Sequence, residues 1–303
     1  MKMERREFIG GAFASMALSM AGAAELPRTD YHAFSRVFQF LKDPFKAADF
    51  LKSCGYDGVE WTVRTGGFLD PATATAEKMK ALMTAADRAG IKAENIVVEF
   101  LRGDDPGAER LVKMAADAGF RSFRGAYFKY DRAKTHRQNF DAFRSGFDSL
   151  EALARKSGMK ACYQNHSTYS KKVPLLGSLV WDLYEVVKDH DPKYIGIQYD
   201  PMHIRAEGGP SWDHTLGAIA PWIDIICLKD FYYGLDASGK DWERILVPAG
   251  KGIVDFVEVK RLMAKEGVKP RYTIHYDYDF PEEVAGARQF ATSDLTYYRS
   301  VLG

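Results

Sequence analysis

The chain has 303 residues, 46% hydrophobic and 27% charged, an ordinary globular make-up that excludes a disordered, collagen-like or coiled-coil protein. Lys plus Arg (42) nearly balance Asp plus Glu (41), so the formal net charge of +1 gives no global reason to bind nucleic acid or an acidic membrane, and a small ligand is expected. Cys54, Cys162 and Cys227 cannot all pair within one chain and show no C-x-x-C spacing, which argues against a disulfide framework and a zinc ribbon.

Residues 1–24 read as an address. Arg5-Arg6 precede Phe8-Ile9, a weakly apolar run follows, and Ala21-Gly22-Ala23-Ala24 offers a small-residue cleavage site before Glu25. That order of regions is the order of a twin-arginine export signal. It predicts a mature chain of residues 25–303, exported folded to the periplasm or another extracytoplasmic compartment. No later run approaches the roughly 18 to 20 apolar residues of a membrane span, so no membrane partner is expected for the mature form.

Beyond the signal, strand-like and helix-like runs alternate. The first pair is residues 37–40 and 44–54. Predicted strands at 58–63, 92–100, 122–130, 160–166, 194–200, 224–231 and 272–278 then alternate with predicted helices at 76–89, 108–118, 135–156, 177–188, 212–221, 255–265 and 281–301. Gly55, Gly90, Gly119, Gly158 and Gly267 each separate a helical stretch from a strand, the place of a left-handed C-cap. Eight β-then-α units with short apolar strands predict a (β/α)8 TIM barrel. A doubly wound sheet usually has a Gly-rich turn after its first strand, and Phe40-Leu41-Lys42-Asp43-Pro44 has none. No linker or low-complexity segment interrupts residues 25–303, so one domain is expected.

In such a barrel the chemistry sits at the carboxyl ends of the strands. Glu60, Trp61 and Arg64 end the second predicted strand and Arg124 lies on the fourth; Gln164 and His166 end the fifth; Asp200 and His203 follow the sixth; Cys227 and Lys229 lie on the seventh, and His275 and Asp277 on the eighth. A period of two puts Cys162, Gln164 and His166 on one face, Cys227 with Lys229, and His275 with Asp277. Singly, a strand histidine is usually a hydrogen-bonded core residue, and an Asp after a strand usually caps the next helix. Jointly, polar groups from four strand ends cost stability unless they are paired, and so favour a site. Asp200, a His or carboxylate from strand eight and an oxygen from strand five can hold a divalent cation, with Lys229 or His203 facing substrate. A metal chelated by a sugar hydroxyl and carbonyl stabilises an enediolate, as isomerisation, epimerisation and β-elimination beside a carbonyl all require.

These segments resemble the sugar phosphate isomerase/epimerase superfamily, the xylose isomerase-like barrels, and within it a group of exported bacterial proteins. The resemblance covers nearly all of the mature chain. Its carriers are Trp61-Thr62-Val63-Arg64-Thr65-Gly66-Gly67, Tyr163-Gln164-Asn165-His166-Ser167, Gln198-Tyr199-Asp200 with His203, Leu228-Lys229-Asp230-Phe231-Tyr232, the stretch from Val247 to Phe256, and His275-Tyr276-Asp277-Tyr278. The family's metal is typically held by Glu, Asp, His and Glu from strands five to eight. Position by position the resemblance implies Gln164, Asp200, Cys227 and Asp277, with His275 a competing strand-eight ligand. Only the Asp is kept. Gln164 cannot take a proton, which compromises a two-carboxylate epimerisation. Cys227 and His275 favour Zn over Mn or Mg, while Cys227 equally reads as a small buried hydrophobe beside a weak or absent metal.

The resemblance implies an isomerase or epimerase acting through an enediolate, with Lys229, His203 and Asp277 as catalytic groups and a non-phosphorylated sugar or glycoside as partner. A lyase eliminating a glycoside from a 3-keto sugar, and a carbohydrate-binding barrel that has lost its chemistry, are the alternatives. Glu60, Arg64, Arg124 and His166 are candidate substrate contacts, or members of salt-bridge networks. Trp61 is a candidate stacking face, or core packing. The long segment from Gly234 to Gly252 is a candidate lid.

Overall fold

The computed structural model describes residues 29–168 and 173–303; the export signal read at residues 1–24 lies outside the described residues. Eight parallel strands close into a barrel in the order β1, β10, β7, β6, β5, β4, β3, β2. These are β1 (Tyr31–Phe34), β2 (Gly58–Thr62), β3 (Lys92–Val97), β4 (Ser122–Arg124), β5 (Lys160–Gln164), β6 (Ile195–Tyr199), β7 (Ile223–Leu228) and β10 (Arg271–Ile274). Around them lie α1 (Pro44–Ser53), α2 (Ala76–Ala89), α3 (Ala108–Ala118), α4 (His136–Ser157), α5 (Val180–Val187), α6 (Pro201–Gly208), α7 (Trp212–Ile219), α8 (Phe256–Lys265) and α9 (Val284–Leu302). The chain is a single TIM barrel, as its periodicity predicts.

Local chemistry fixes the ends of these elements. Asp43 accepts the Phe45 amide at 2.8 Å ahead of Pro44, starting α1, and Thr135 and Gln138 form a reciprocal capping box on α4. Gly90 and Gly119 terminate α2 and α3 with φ of 67° and 101°, where a side chain would be strained. The helices bury their apolar stripes against the outside of the barrel, with Leu51, Met79, Val112, Phe147, Leu183, Leu216 and Val259 out of solvent. Each such side chain contributes roughly 1.5–3 kcal/mol.

Several segments depart from the sequence reading: the predicted strand at 122–130 stops at Arg124, and α6 lies outside every predicted helix. Residues 37–40 are not a strand: β1 ends at Phe34 and Ser35–Leu41 coils as a 3₁₀ turn. The Ser35 hydroxyl accepts the Thr62 amide at 2.9 Å, which replaces the next rung of the ladder and lets the chain peel off over the mouth. The predicted strand at 224–231 divides in two. β7 stops at Leu228, and β8 (Asp230–Leu235) pairs antiparallel with β9 (Trp242–Val247) in a hairpin that begins ahead of the candidate lid and runs into it.

The inside of the barrel is unusually polar for this architecture, which is ordinarily filled by layers of Val, Ile and Leu. His32, Glu60, Asn95, Arg124, Gln164, Gln198, Asp200, Thr273 and His275 are all buried there or at its rim. Burying so many polar groups costs stability unless they satisfy one another; most do, while His32 Nε2 and Gln198 Oε1 have no hydrogen-bond partner among the described residues.

Candidate active site

At the carboxyl ends of the strands the side chains form one hydrogen-bonded chain across the barrel mouth. Arg124 donates to the Tyr127 hydroxyl at 3.1 Å, and Tyr127 donates to Gln164 Oε1 at 2.7 Å. Gln164 Nε2 donates to Asp200 Oδ2 at 2.8 Å, and Lys229 Nζ lies 3.1 Å from the same oxygen. Lys229 also donates to Asp277 Oδ2 at 2.8 Å, and Arg36 reaches Asp277 Oδ1 at 3.4 Å. The backbone holds this chain in place. Asn165 accepts the Asp200 amide at 2.8 Å and donates to the Asp200 carbonyl at 3.0 Å, while Asp200 Oδ1 accepts the His203 amide at 3.2 Å and so caps α6.

Burial alone would strip charge from Lys229, but the Asp200 and Asp277 carboxylates outweigh it and hold the ammonium well above its ordinary pKa. Burial likewise raises Asp277, and Lys229 and His275 more than reverse this, so its carboxyl stays ionised far below the usual range. Burial pushes the Cys227 thiol well up. Its sulfur accepts from Gln164 Nε2 at 3.3 Å.

Two histidines stand beside this chain, with His166 and His203 packed ring on ring at 3.7 Å. His166 Nδ1 is 2.7 Å from the Ser167 carbonyl, which can only accept, so the ring proton is on Nδ1 and Nε2 is the basic nitrogen. His203 Nδ1 meets the Ser167 hydroxyl at 2.6 Å and Arg244 at 3.4 Å, leaving its Nε2 facing Asp200 Oδ2 at 3.5 Å. Burial first, and then for each ring the nearby Lys229 and Arg244 charges, push both pKa values well below the ordinary imidazole value. Both rings are neutral. They open onto a cleft of about 700 Å³ lined also by Arg36, Phe40, Arg244 and Asp277.

The structure thus brings Arg124, Gln164, Asp200, Cys227, Lys229, Asp277, His166 and His203 together, and sets Glu60, Trp61, Arg64 and His275 apart. His275 lies one layer deeper, 3.3 Å from Glu60 Oε2 and stacked on Phe34. Glu60 also accepts from Asn95, Gln198 and Thr273 inside the barrel. Arg124 and Arg64 flank the Phe34 ring at 5.6 and 5.7 Å. Trp61 is fully buried, packed edge-on against Phe68. Three participants escaped the sequence reading: Tyr127, inside a run taken for strand; Arg36, beside the misplaced first strand; and Arg244, on the hairpin.

The residues at the ligand positions do not suit a divalent cation. Asp200 Oδ2 already accepts from an amide and touches an ammonium, and the amide of Gln164 turns its NH₂ rather than its carbonyl toward it. Among the described residues no three His, Cys, Asp or Glu side chains are grouped to hold a metal ion.

A family model described as xylose isomerase-like TIM barrel matches residues 48–291. Among solved structures, the chain is similar to D-psicose 3-epimerase with D-tagatose from Clostridium cellulolyticum H10 (TM-score 0.64, 13% identity, 90% of this chain and 99% of that one). It is similar to 3-keto-D-glucoside 4-epimerase YcjR from E. coli, apo form (0.66, 14%, 90% and 100%). It is also similar to a xylose isomerase-like TIM barrel protein from Mycobacterium smegmatis in complex with magnesium (0.57, 16%, 86% and 89%). No curated protein matches the chain by sequence.

Proposed function

The chain belongs to the xylose isomerase-like TIM barrel family, and from that premise we propose that it is an enzyme of the sugar isomerase/epimerase kind, acting on a non-phosphorylated sugar or glycoside outside the cytoplasm. The observation that carries this reading is His166 at the cleft wall, its Nδ1 bonded to the Ser167 carbonyl so that the lone pair is on Nε2. In the proposed reaction that nitrogen takes the proton from the carbon beside a substrate carbonyl. The C–H electron pair becomes the C=C bond of an enediolate, and the carbonyl π pair moves onto oxygen, where the Lys229 ammonium balances the charge. Passing the hydroxyl proton across to the former carbonyl oxygen and returning the abstracted proton to the former carbonyl carbon isomerises the sugar; epimerisation takes its new proton from water on the opposite face. His203 and Asp277 complete the polar wall, with Asp277 orienting Lys229.

A second reading, β-elimination from a 3-keto glycoside, gains support from Gln164. An amide stands where a second ionisable group would serve epimerisation, and elimination needs one base together with a proton for the leaving oxygen. Both readings share the first step. Incubating the protein in D₂O with free ketoses, aldoses and 3-keto glycosides, and following the carbon beside the carbonyl by NMR, tests that step. Deuterium wash-in with an epimer or keto isomer supports the first reading, and release of the aglycone supports the second. No exchange across the panel overturns both in favour of a sugar-binding barrel.

A further inference from the structure

We infer that the ammonium of Lys229 is the resident cation of this site and occupies the seat of a divalent metal, so that the protein works without one. The inference rests on the proton-abstraction reading for its chemical meaning but on geometry for its substance. Lys229 Nζ sits between the two acidic side chains of the barrel mouth, 3.1 Å from Asp200 Oδ2 and 2.8 Å from Asp277 Oδ2. The side chains of Lys229 and Asp200 are 3% and 0% exposed, so this is a built interior contact and not a surface pair that forms and breaks.

The surroundings are consistent with one fixed positive charge and not with an added dication. Asp200 Oδ1 accepts the His203 amide and Oδ2 accepts from Gln164, so both oxygens are engaged before any ion arrives. Arg36 approaches the outer oxygen of Asp277 at 3.4 Å. Two carboxylates therefore face one ammonium and one guanidinium, and the local charge already balances. A metal entering between Asp200 and Asp277 would have to expel a buried lysine or sit against it.

The exchange changes the chemistry in a definite way. An ammonium brings one charge and three directional N–H donors, one of which it gives to Asp277 while Asp200 lies at ion-pair distance. It can polarise one substrate oxygen, where a divalent ion would chelate two. It cannot be removed by a chelator, and it is lost only by mutation.

The test uses the full chain purified without chelator. Elemental analysis is expected to find fewer than about 0.1 equivalents of Mn, Zn, Mg or Co per chain, and the melting temperature is expected to stay put with EDTA or added Mn²⁺, because a ligand stabilises only what it binds. Lys229→Ala vacates the seat between Asp200 and Asp277. That variant leaves Asp200 and Asp277 without their shared cation and is expected to melt well below the parent, whether or not Mn²⁺ is added. Should it not fold, the parent's own metal content and EDTA response decide the matter. One equivalent of metal in the parent, a parent melt that falls on chelation, or a folded Lys229→Ala that melts with the parent overturns the inference. A bound metal in the parent leaves proton abstraction standing. A failed sugar screen removes proton abstraction and leaves the occupied seat untouched.

Discussion

His275 Nε2 and Glu60 Oε2 lie 3.3 Å apart inside the barrel, joining β10 to β2 across the strand that separates them in the sheet. Glu60 would be raised by burial, but His275, Arg124 and Asn95 overcome this and keep its carboxyl below the ordinary value. Replacing it with glutamine keeps the shape and removes the charge that these donors were arranged around. Glu60→Gln is expected to cost roughly 1–3 kcal/mol in urea unfolding, with sugar exchange in the surviving protein changed far less than by changes at the cleft.

His166→Gln tests the base directly. It keeps a polar side chain of similar reach and removes the basic nitrogen. Deuterium wash-in is expected to fall by roughly 10²-fold or more. The melting temperature is expected to move little, since the imidazole is satisfied mainly by the adjacent backbone carbonyl.

Arg244 reaches from β9 to donate to the Thr168 carbonyl at 2.9 Å and to meet His203 at 3.4 Å. Arg244→Ala frees the hairpin from the loop after β5 and removes a positive group from the cleft wall. KM is expected to rise about tenfold, the equivalent of roughly 1.4 kcal/mol, with a smaller change in kcat. Equal losses in kcat and kcat/KM would instead put Arg244 among the groups that act only in the transition state.

His32 supplies the pH prediction. Burial, then the charge of Arg271, lower its pKa from 6.5 to about 4. The unfolded chain therefore binds this proton at higher pH than the folded one does, and stability falls as pH drops from about 6.5 to about 4. The full loss is about 3 kcal/mol. Asp182 and Asp294, which burial pushes up to about 6, act in the opposite direction over much of the same range. Comparing the parent with His32→Gln cancels their contribution. The stability of the parent relative to that variant is expected to shrink by about this amount between pH 7.5 and pH 4, and a constant difference would refute it.

Much of the fold was legible because its punctuation is local. α2 and α3 fall where the sequence puts them, each ended by a glycine at positive φ. β1 was missed because four residues, Tyr31–Phe34, give too short a period to compete with the apolar run beyond them. That run instead buries Phe38 and lends Val37 and Phe40 to the cleft. At the site, parity along the strands found Gln164, and the strand ends gave Asp200 while parity gave Lys229 and Asp277. Parity cannot say that the last three touch, because such contacts depend on the stagger of strands far apart in the chain. The same parity puts Trp61 on the face opposite Glu60, consistent with its packing against Phe68.

The β8–β9 hairpin pairs only with itself, contributes no rung to the barrel, and yet carries Arg244 to His203 and the Tyr233 hydroxyl to the Ala206 carbonyl. Its sequence can therefore be rewritten at little cost to the eight-stranded ladder beneath it. The protein is thereby divided into a part that must be conserved to stand and a part that is free to choose. A library confined to residues 232–245 is the economical place to alter which ligand the proposed activity accepts.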